Sequence, residues 1–166
     1  SYPVLVGSTA VDLIDVSRKP VYEEGGGGLV STLDDYANFA LMLQSGGRFN
    51  EQQLLSPSTV NLMTSNHLGS EIKRGQYYLP GAGFGFGLGV AVRESDGLSS
   101  KAGVKGIYHW GGMAGTLFWN DDENDLIGLF MIQDIPRSNL WRSQFQTFVY
   151  GALIDDVSNN KIGANK

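Results

Sequence analysis

The sequence predicts an α+β fold in which an antiparallel sheet is flanked by helices. Apolar residues recur at helical spacing in two early segments and in one late segment. Between them, several short stretches alternate in period two and are joined by polar or glycine-containing connections, which is typical of antiparallel strands. The order helix, helix, several strands, helix indicates a layered α+β structure.

The length and composition of the chain exclude several classes of protein and of binding site. The 166 residues are enough for one domain with a hydrophobic core. A net charge of -5 and the absence of a polybasic run argue against a nucleic-acid partner. No apolar run approaches the length of a membrane span, which predicts a soluble protein. There is no cysteine, so disulfides and thiolate metal sites are excluded, while the compartment, cytoplasmic or periplasmic or secreted, stays open.

The two ends of the chain are predicted to differ from its middle. Residues 1–24 are expected to be a connecting segment with one strand around 11–16. The chain starts without methionine or a basic leader, as a processed or truncated product would. Residues 25–157 are expected to form the main domain, and the polar residues 158–166 a flexible tail.

The first helix is predicted to begin at Ser31 or Thr32, directly after a run of glycines. Ser31 is an N-cap candidate because Asp34 follows three residues later. Gly46 and Gly47 should end the helix. The residues expected on its apolar face are Leu33, Tyr36, Phe39, Ala40 and Leu43.

Two further helices are predicted. Ser56 followed by Pro57 is typical of an N-cap with proline at the first helical position, so a short helix should run through Met63. The last helix should span about 139–155. Its expected buried face consists of Trp141, Phe145, Phe148 and Ala152.

The strands are predicted in the second half of the chain, after a loop over 66–82. Residues 83–90 alternate glycine with apolar residues, which predicts a strand with one bare face that a packed helix or a ligand backbone could approach. A phosphate loop is rejected because Leu88 stands where the last glycine of GxGxxG should be. After a polar turn at 93–103, strands are expected at 107–110, 116–119 and 126–133, with a tight polar hairpin connection at 120–125.

Several segments in this order resemble β-lactamase-related serine hydrolases. They are Gly25-Gly26-Gly27-Gly28-Leu29-Val30-Ser31-Thr32 with Asp35, Tyr36 and Phe39; Leu54-Leu55-Ser56-Pro57; and His109-Trp110-Gly111-Gly112-Met113-Ala114-Gly115-Thr116, continuing to Phe118-Trp119 and Met131-Ile132-Gln133. The last segment resembles the region around the third catalytic element of class C β-lactamases, penicillin-binding proteins and related carboxylesterases. The resemblance implies the C-terminal part of the β-lactamase/transpeptidase-like fold.

The resemblance also implies an acyl-enzyme mechanism without cofactor or metal. In this family a Ser-x-x-Lys supplies the nucleophile, a Tyr-x-Asn or similar a second base, and a Lys-Thr-Gly strand borders the cleft. Serine becomes nucleophilic only when a base takes its proton, and the tetrahedral intermediate needs two aimed N–H donors. One donor is the N–H of the nucleophile, and the other belongs to the residue that follows the Lys-Thr-Gly triplet.

By this resemblance, Trp110-Gly111-Gly112 stands in the place of Lys-Thr-Gly, and Met113 supplies the second oxyanion donor from its backbone. Gly111 and Gly112 leave the strand edge open to a substrate. Trp110 removes the cation that would bind a carboxylate, which favours carboxylic esters over β-lactams or D-amino-acid peptides; the other interpretation is that Trp110 is a core residue. Ala114 is expected to contact the substrate, and His109 either does so or has a hydrogen-bonded structural role on the opposite face of the strand.

No convincing nucleophile is found in the chain. Ser70-Glu71-Ile72-Lys73 and the residues 158–161 match Ser-x-x-Lys, but neither opens a buried apolar helix. Ser70 is therefore kept only as a fallback nucleophile. Residues 36–38 match Tyr-x-Asn on a helix face, and residues 101–103 imitate Lys-Thr-Gly in a turn, so both are taken as coincidences.

The resulting hypothesis is that this chain is one wall of a serine hydrolase and is inactive alone. An N-terminal segment of the same protein is the expected partner and carries the nucleophile, the substrate is a small ester or amide, and a homo-oligomer that exchanges elements is a further possibility. The alternatives are a non-catalytic binding or assembly module of the same fold and a small hydrolase that uses Ser70. His67 and His109 do not form a metal site, and residues 121–125 are expected to be a solvated hairpin tip, with calcium binding as the alternative.

Overall fold

The computed structural model describes residues 4–6, 9–11, 15, 17–19, 21–22, 25–72, 75 and 78–153. Its helices are α1 (Leu33–Gln44), α2 (Pro57–Met63) and α3 (Ser138–Ala152), the last preceded by a 3₁₀ turn, Ile135–Arg137. Its strands are β1 (Val4–Val6), β2 (Thr9–Val11), β3 (Arg48–Phe49), β4 (Gln52–Gln53), β5 (Phe84–Phe86), β6 (Ala91–Arg93), β7 (Tyr108–Gly111), β8 (Leu117–Asp121) and β9 (Leu126–Phe130).

The centre of the fold is a five-stranded antiparallel sheet in the order β5-β6-β7-β8-β9. Each strand pairs with the next one along the chain, so the sheet is a meander. Two further hairpins, β1-β2 and β3-β4, lie outside it. The predicted α+β class with an antiparallel sheet flanked by helices is confirmed.

The two faces of the sheet carry different side chains. On one face Val92, Tyr108 and Phe118 form a buried apolar cluster with Met42 and Leu43 of α1, a cluster that Val60 of α2 joins. On the other face Trp119, which is fully buried, lies against the rings of α3, with ring centroids 5.8 Å from Phe145 and 6.2 Å from Tyr150. Because alternate residues of a strand point to opposite faces, β7 and β8 contribute to both layers.

Two buried polar side chains of β8 tie the helices to the sheet. The Asn120 side-chain amide donates to the Ala40 carbonyl of α1 at 2.9 Å. On the opposite face the Asp121 carboxylate accepts from the Tyr150 hydroxyl of α3 at 2.7 Å. Both residues are fully buried, and these bonds satisfy the Asn120 amide nitrogen and the Asp121 carboxylate, whereas the Asn120 Oδ1 has no partner among the described residues.

Helix α1 begins one residue later than the Ser31 cap that the spacing to Asp34 had suggested. Thr32 is the N-cap: its hydroxyl accepts the Asp35 N–H at 3.1 Å and donates to the Asp35 carboxylate at 2.8 Å. This reciprocal pair satisfies an orphan N–H of the first turn, which Ser31 does not do. Gly46 and Gly47 end the helix as predicted, both with positive φ.

The predicted apolar face of α1 is wrong in part. Leu33 and Phe39 remain 48% and 41% exposed, whereas Met42, which was not on the predicted face, is buried. The reason is tertiary: the helix packs against the small β3-β4 hairpin as well as the sheet, and Phe49 of β3 lies against the same apolar cluster as Met42.

Helix α2 agrees with the prediction. The Ser56 hydroxyl accepts the Thr59 N–H at 3.1 Å, and Pro57 occupies the first helical position. The connecting segment was expected to hold a strand around 11–16, but β2 ends at Val11, where it pairs with Val4 in a hairpin. Of residues 12–16 only Asp15 is described, and it is not in a strand; the predicted tail 158–166 lies outside the described residues.

The predicted continuous strand over 83–90 is wrong. Strand β5 ends at Phe86, and the chain reverses through a turn that the Gly87 N–H closes on the Val90 carbonyl at 2.8 Å. Gly89 takes the left-handed backbone at φ 90°, which a strand does not allow. The bare glycine face is nevertheless used: a Cβ at Gly85 would meet the Asn66 side chain, so the segment after α2 packs there.

Helix α3 was predicted with Phe148 and Ala152 on its buried face, and both are exposed. Phe145 faces inwards as predicted, and Gln146 and Tyr150, which were not predicted, face inwards with it. Phe145 stacks on Phe130 of β9 at 4.7 Å, which sets the rotation of the helix on the sheet. The predicted final residues 154 and 155 lie outside the described part of the chain.

Candidate functional site

The turn from Gly112 to Thr116, here called the 112–116 turn, connects β7 to β8. Gly111 and Leu117 are the last paired residues of the two strands. The Gly112 N–H then donates to both the carbonyl and the hydroxyl of Thr116, each at 3.0 Å, and the Gly115 N–H donates to the Gly112 carbonyl at 3.1 Å. Gly115 has φ 116°, a backbone conformation that favours glycine. The turn is therefore closed by its own backbone.

Met113 lies at the outer part of this turn and is 64% exposed. The N–H groups of Met113 and Ala114 form no hydrogen bond with any residue that the structure describes. The Ala114 carbonyl, by contrast, accepts the Asp134 N–H at 2.9 Å. Among the described residues, then, these two N–H groups have no partner, and the Met113 N–H is the donor that the resemblance implied.

Gly111 and Gly112 have no room for side chains. A Cβ on Gly111 would lie 2.6 Å from the Thr116 carbonyl oxygen and 3.1 Å from the Arg142 guanidinium. A Cβ on Gly112 would lie 2.5 Å from the Thr116 hydroxyl oxygen. From the sequence, these two glycines were expected to leave space for a substrate. The structure shows that the turn itself also requires glycine at both positions.

One edge of β7 is open beside this turn. Strand β6 pairs with Tyr108 and His109 only, so Trp110 and Gly111 extend past its end. Within the described part of the chain no strand pairs with that edge of Trp110 and Gly111. Backbone groups along an open edge can pair with an extended ligand.

Trp110 lies at the border between core and surface. It is partly buried, and its ring packs edge-on against Phe86, with centroids 5.0 Å apart. It also packs against the apolar cluster below α1 and α2. The Trp110 side chain therefore packs in the core, in agreement with the interpretation of Trp110 as a core residue. Its backbone forms part of the open edge.

His109 lies behind the strand, on the face that α3 covers. It is only 8% exposed, its ring packs edge-on against Phe84 at 5.0 Å, and its Nε2 has no hydrogen-bond partner among the described residues. Burial, and then the positive charges of Lys101 and Arg142, lower the pKa of His109 to about 3. The imidazole is therefore neutral at ordinary pH.

Arg142 of α3 was not anticipated from the sequence. Its Nε donates to the Gly115 carbonyl at 3.1 Å, and its Nη2 donates to the Thr116 carbonyl at 2.9 Å and to the Gly112 carbonyl. The one available signal was its helical spacing to Phe145 and Gln146, which places an arginine on an inward-facing stripe. Burial lowers its pKa, although the guanidinium remains charged.

Ser70, the fallback nucleophile, lies elsewhere. It is exposed in a turn and lines a polar pocket of about 330 Å³ together with Asn66 and Glu94, and none of residues 110–116 lines that pocket. The Asn66 amide donates to the Glu94 carboxylate at 2.6 Å. Ser70 forms no hydrogen bond with any described residue, and Lys73 of the same motif match is not described.

The other motif matches fall where a structural role accounts for them. Tyr36 of the residues 36–38 packs its ring on Phe118 at 5.3 Å. The carbonyl of Lys101 accepts from the buried Arg93 guanidinium at 3.0 Å in a turn. Residues 158–161 lie outside the described part of the chain. In that part no group of three or more His, Cys, Asp or Glu side chains is arranged to hold a metal ion.

Comparison with known proteins identifies the family of this chain. The family model for Beta-lactamase matches residues 5–140. The chain is 38% identical over 123 residues to Protein Rv1367c of Mycobacterium tuberculosis (strain ATCC 25618 / H37Rv), and equally to Uncharacterized protein MT1414 of Mycobacterium tuberculosis (strain CDC 1551 / Oshkosh). Each match covers 70% of this chain and 30% of the relative, so the chain spans about a third of the length of these relatives.

Solved structures show the same fold. EstCE1, described as a hydrolase with promiscuous acyltransferase activity, is 27% identical with a TM-score of 0.57, over 71% of this chain and 29% of its own. Simvastatin synthase (LovD) from Aspergillus terreus, in its LovD6 mutant form, is 22% identical with a TM-score of 0.54, over 70% of this chain and 32% of its own. Among the described residues no helix is both long and apolar enough to cross a membrane.

Proposed function

This chain belongs to the beta-lactamase family, and from that premise we propose that it supplies the oxyanion wall of a serine hydrolase that acts on carboxylic esters through an acyl-enzyme. The observation that carries the proposal is the 112–116 turn, a hydrogen-bonded turn beside an open strand edge, in which the Met113 N–H has no partner among the described residues. In the first step a serine oxygen attacks the ester carbonyl, and Met113 donates to the developing oxyanion. A base takes the serine proton and passes it to the alkoxide as the C–O bond of the ester breaks; water then adds to the acyl carbon, and the acid and the serine O–H are released.

Trp110 supports esters as the substrate class. The Lys-Thr-Gly lysine of the family is replaced by an indole that packs against Phe86. Beside the open edge the carboxylate-binding ammonium is therefore absent, which suits an uncharged acyl or alcohol group. EstCE1, whose description names hydrolase and acyltransferase activity, supports acyl transfer as the chemistry.

The nucleophile is proposed to come from another segment of the same protein. Ser70 has no base bonded to it among the described residues, and a serine without an adjacent base is a weak nucleophile. The chain corresponds to about a third of the curated relatives, which leaves ample length for a Ser-x-x-Lys segment.

Strand β9 offers a surface where such a segment can attach. Among the described strands β9 pairs only with β8, so its outer edge is unpaired. Beside that edge lies an apolar groove of about 380 Å³ between α1 and α3, lined by Ala37, Leu41, Ile127, Gly128, Leu129, Phe145 and Val149. An unpaired edge next to an apolar groove favours the addition of a strand and the burial of apolar side chains.

A fluorophosphonate probe and a short-chain nitrophenyl ester test this proposal. Applied to the full-length protein, the probe is expected to label one serine outside these 166 residues and to stop ester turnover. The isolated chain should neither react nor turn over the ester. Labelling of the isolated chain at Ser70, lost in Ser70→Ala, would instead establish the small-hydrolase alternative. A folded full-length protein that never labels would favour the non-catalytic module.

A further inference from the structure

We propose that Arg142 is a positioning residue that sets the direction of the Met113 N–H and so aims the oxyanion donor. This inference rests on the proposed function and adds a residue to it. Arg142 lies beside Gly111 but makes no hydrogen bond to Trp110 or Gly111. It acts through the 112–116 turn, from the face of the sheet that α3 covers.

The contacts of Arg142 are unusual for a surface arginine. Its guanidinium donates to three carbonyls of one turn, those of Gly112, Gly115 and Thr116. Among the described residues no carboxylate forms an ion pair with it. The planar fork of arginine can reach several acceptors at once, which a lysine ammonium on a single nitrogen does poorly.

Because the peptide bond is planar, these contacts also fix the direction of the Met113 N–H. The Gly112 carbonyl and the Met113 N–H belong to one planar trans peptide group, so they point in opposite directions. When Arg142 holds the Gly112 oxygen on the side of α3, the Met113 N–H must point away from α3. Rotation of this peptide plane would turn the donor away from its target while leaving the chain path unchanged.

Gly111 agrees with this placement of Arg142. A side chain at this position would reach to 3.1 Å from the Arg142 guanidinium. A glycine in the third-motif strand therefore leaves space for the guanidinium beneath the turn. The Arg142 guanidinium therefore lies in the space that a side chain at Gly111 would need.

Helix α3 is anchored well enough to hold the guanidinium in place. Phe145 packs on both Trp119 and Phe130, and Tyr150 bonds to Asp121. At its start, the Trp141 indole N–H donates to the Asp134 carboxylate at 2.9 Å. The helix is thus fixed at its beginning and along its length, and Arg142 lies between these contacts.

The test compares Arg142→Gln and Arg142→Lys with Arg137→Gln in the full-length protein. Arg137 is a matched control because its guanidinium pairs with the Asp134 carboxylate at 2.8 Å and is largely exposed. For Arg142→Gln, kcat per phosphonate-titrated site should fall on the order of a hundredfold, with KM changed less than about threefold, because the donor acts mainly in the transition state. Arg142→Lys should recover part of the loss, and Arg137→Gln should stay near wild type.

Amide hydrogen exchange of the same proteins separates this inference from the proposed function. Arg142→Gln should speed exchange at Gly112 and Gly115 while β8 keeps its protection. Wild-type exchange in the turn, or an unchanged kcat per titrated site, would overturn the role of Arg142. If the full-length protein hydrolyses no ester, the proposed function fails, and the exchange of the turn alone decides whether Arg142 holds it.

Discussion

The 112–116 turn and the segment around Ser70 both carry motif signals, yet they are built in different ways. In the turn, four carbonyls, two N–H groups and a hydroxyl are hydrogen-bonded, and the N–H groups of Met113, Ala114 and Thr116 have no partner among the described residues. Ser70 lies exposed in a turn without a hydrogen bond to any described residue. Catalytic groups must be held in place before the reaction, so a held donor is stronger evidence for function than a matching letter pattern.

The largest expected difference between the two regions comes from adding one methyl group to each. Gly111→Ala would place a Cβ 2.6 Å from the Thr116 carbonyl oxygen, so the turn must shift. We expect kcat for ester hydrolysis by the full-length protein to fall on the order of a hundredfold. Gly69→Ala, next to Ser70, meets nothing within 4 Å and should leave the rate within about twofold. Equal rates for the two variants would remove the distinction between the regions.

Replacement of Trp110 tests whether its ring serves the turn or only the core. Trp110→Ala removes a partly buried ring that packs on Phe86, so we expect a loss of stability on the order of 2 kcal/mol and impaired ester hydrolysis. Trp110→Phe keeps an apolar ring and should retain most of both. Trp110→Lys should not create strong penicillin turnover. Denaturant unfolding and steady-state kinetics of the three variants measure these effects, and unaltered ester kinetics in Trp110→Ala would assign the ring to the core alone.

The pH dependence of protein stability tests whether the His109 imidazole behind the turn is buried and neutral. The pKa of His109 is about 3 in the folded protein and 6.5 in the unfolded chain. Between these pH values the imidazole is protonated in the unfolded state and neutral in the folded state. Its contribution to stability is therefore complete above pH 6.5 and is lost as the pH falls from 6.5 towards 3, by on the order of 1 kcal/mol per pH unit. Urea unfolding between pH 7 and 5 should show this slope, and His109→Gln should flatten it. An equal slope in both proteins would contradict the buried neutral imidazole.

The smallest effect is expected from Met113→Ala. The side chain is 64% exposed, and the proposed donor is the backbone N–H, which alanine keeps. We expect kcat within about fivefold of wild type, far less than the loss on removal of an oxyanion donor. Abolished activity in a correctly folded Met113→Ala protein would show that the oxyanion donor lies elsewhere.

Local chemistry explains what the sequence could predict. The Ser56-Pro57 cap and the Gly46-Gly47 helix end depend on neighbouring residues only, and each was predicted from the sequence. The β8-β9 hairpin was also predicted, but its connection is 122–125 rather than 120–125, because Asn120 and Asp121 belong to β8 and bond to α1 and α3. The fold class followed from the order of such elements. The third-motif segment was located through resemblance alone; β7 ends at Gly111, so Gly112 lies in the turn rather than on the strand, and the catalytic role of the segment stays a prediction.

Features that depend on distant partners were missed. Arg142 acquires its role from a turn about 30 residues earlier in the chain, and no helical period records that contact. Met42 is buried because the β3-β4 hairpin covers it, against the expectation from helical spacing alone. The alternation at 83–90 looked like one strand because nothing in the pattern marks Gly89 as left-handed.

A structure of the full-length protein inactivated by a phosphonate ester tests the central claim most directly. We expect a phosphonyl group on a serine outside these 166 residues, with its oxygen within hydrogen-bonding distance of the Met113 N–H and the N–H of that serine. The group should lie beside the open edge of Trp110 and Gly111. A phosphonyl group on Ser70, or one whose oxygen points away from the 112–116 turn, would contradict the assignment of this turn as the oxyanion wall.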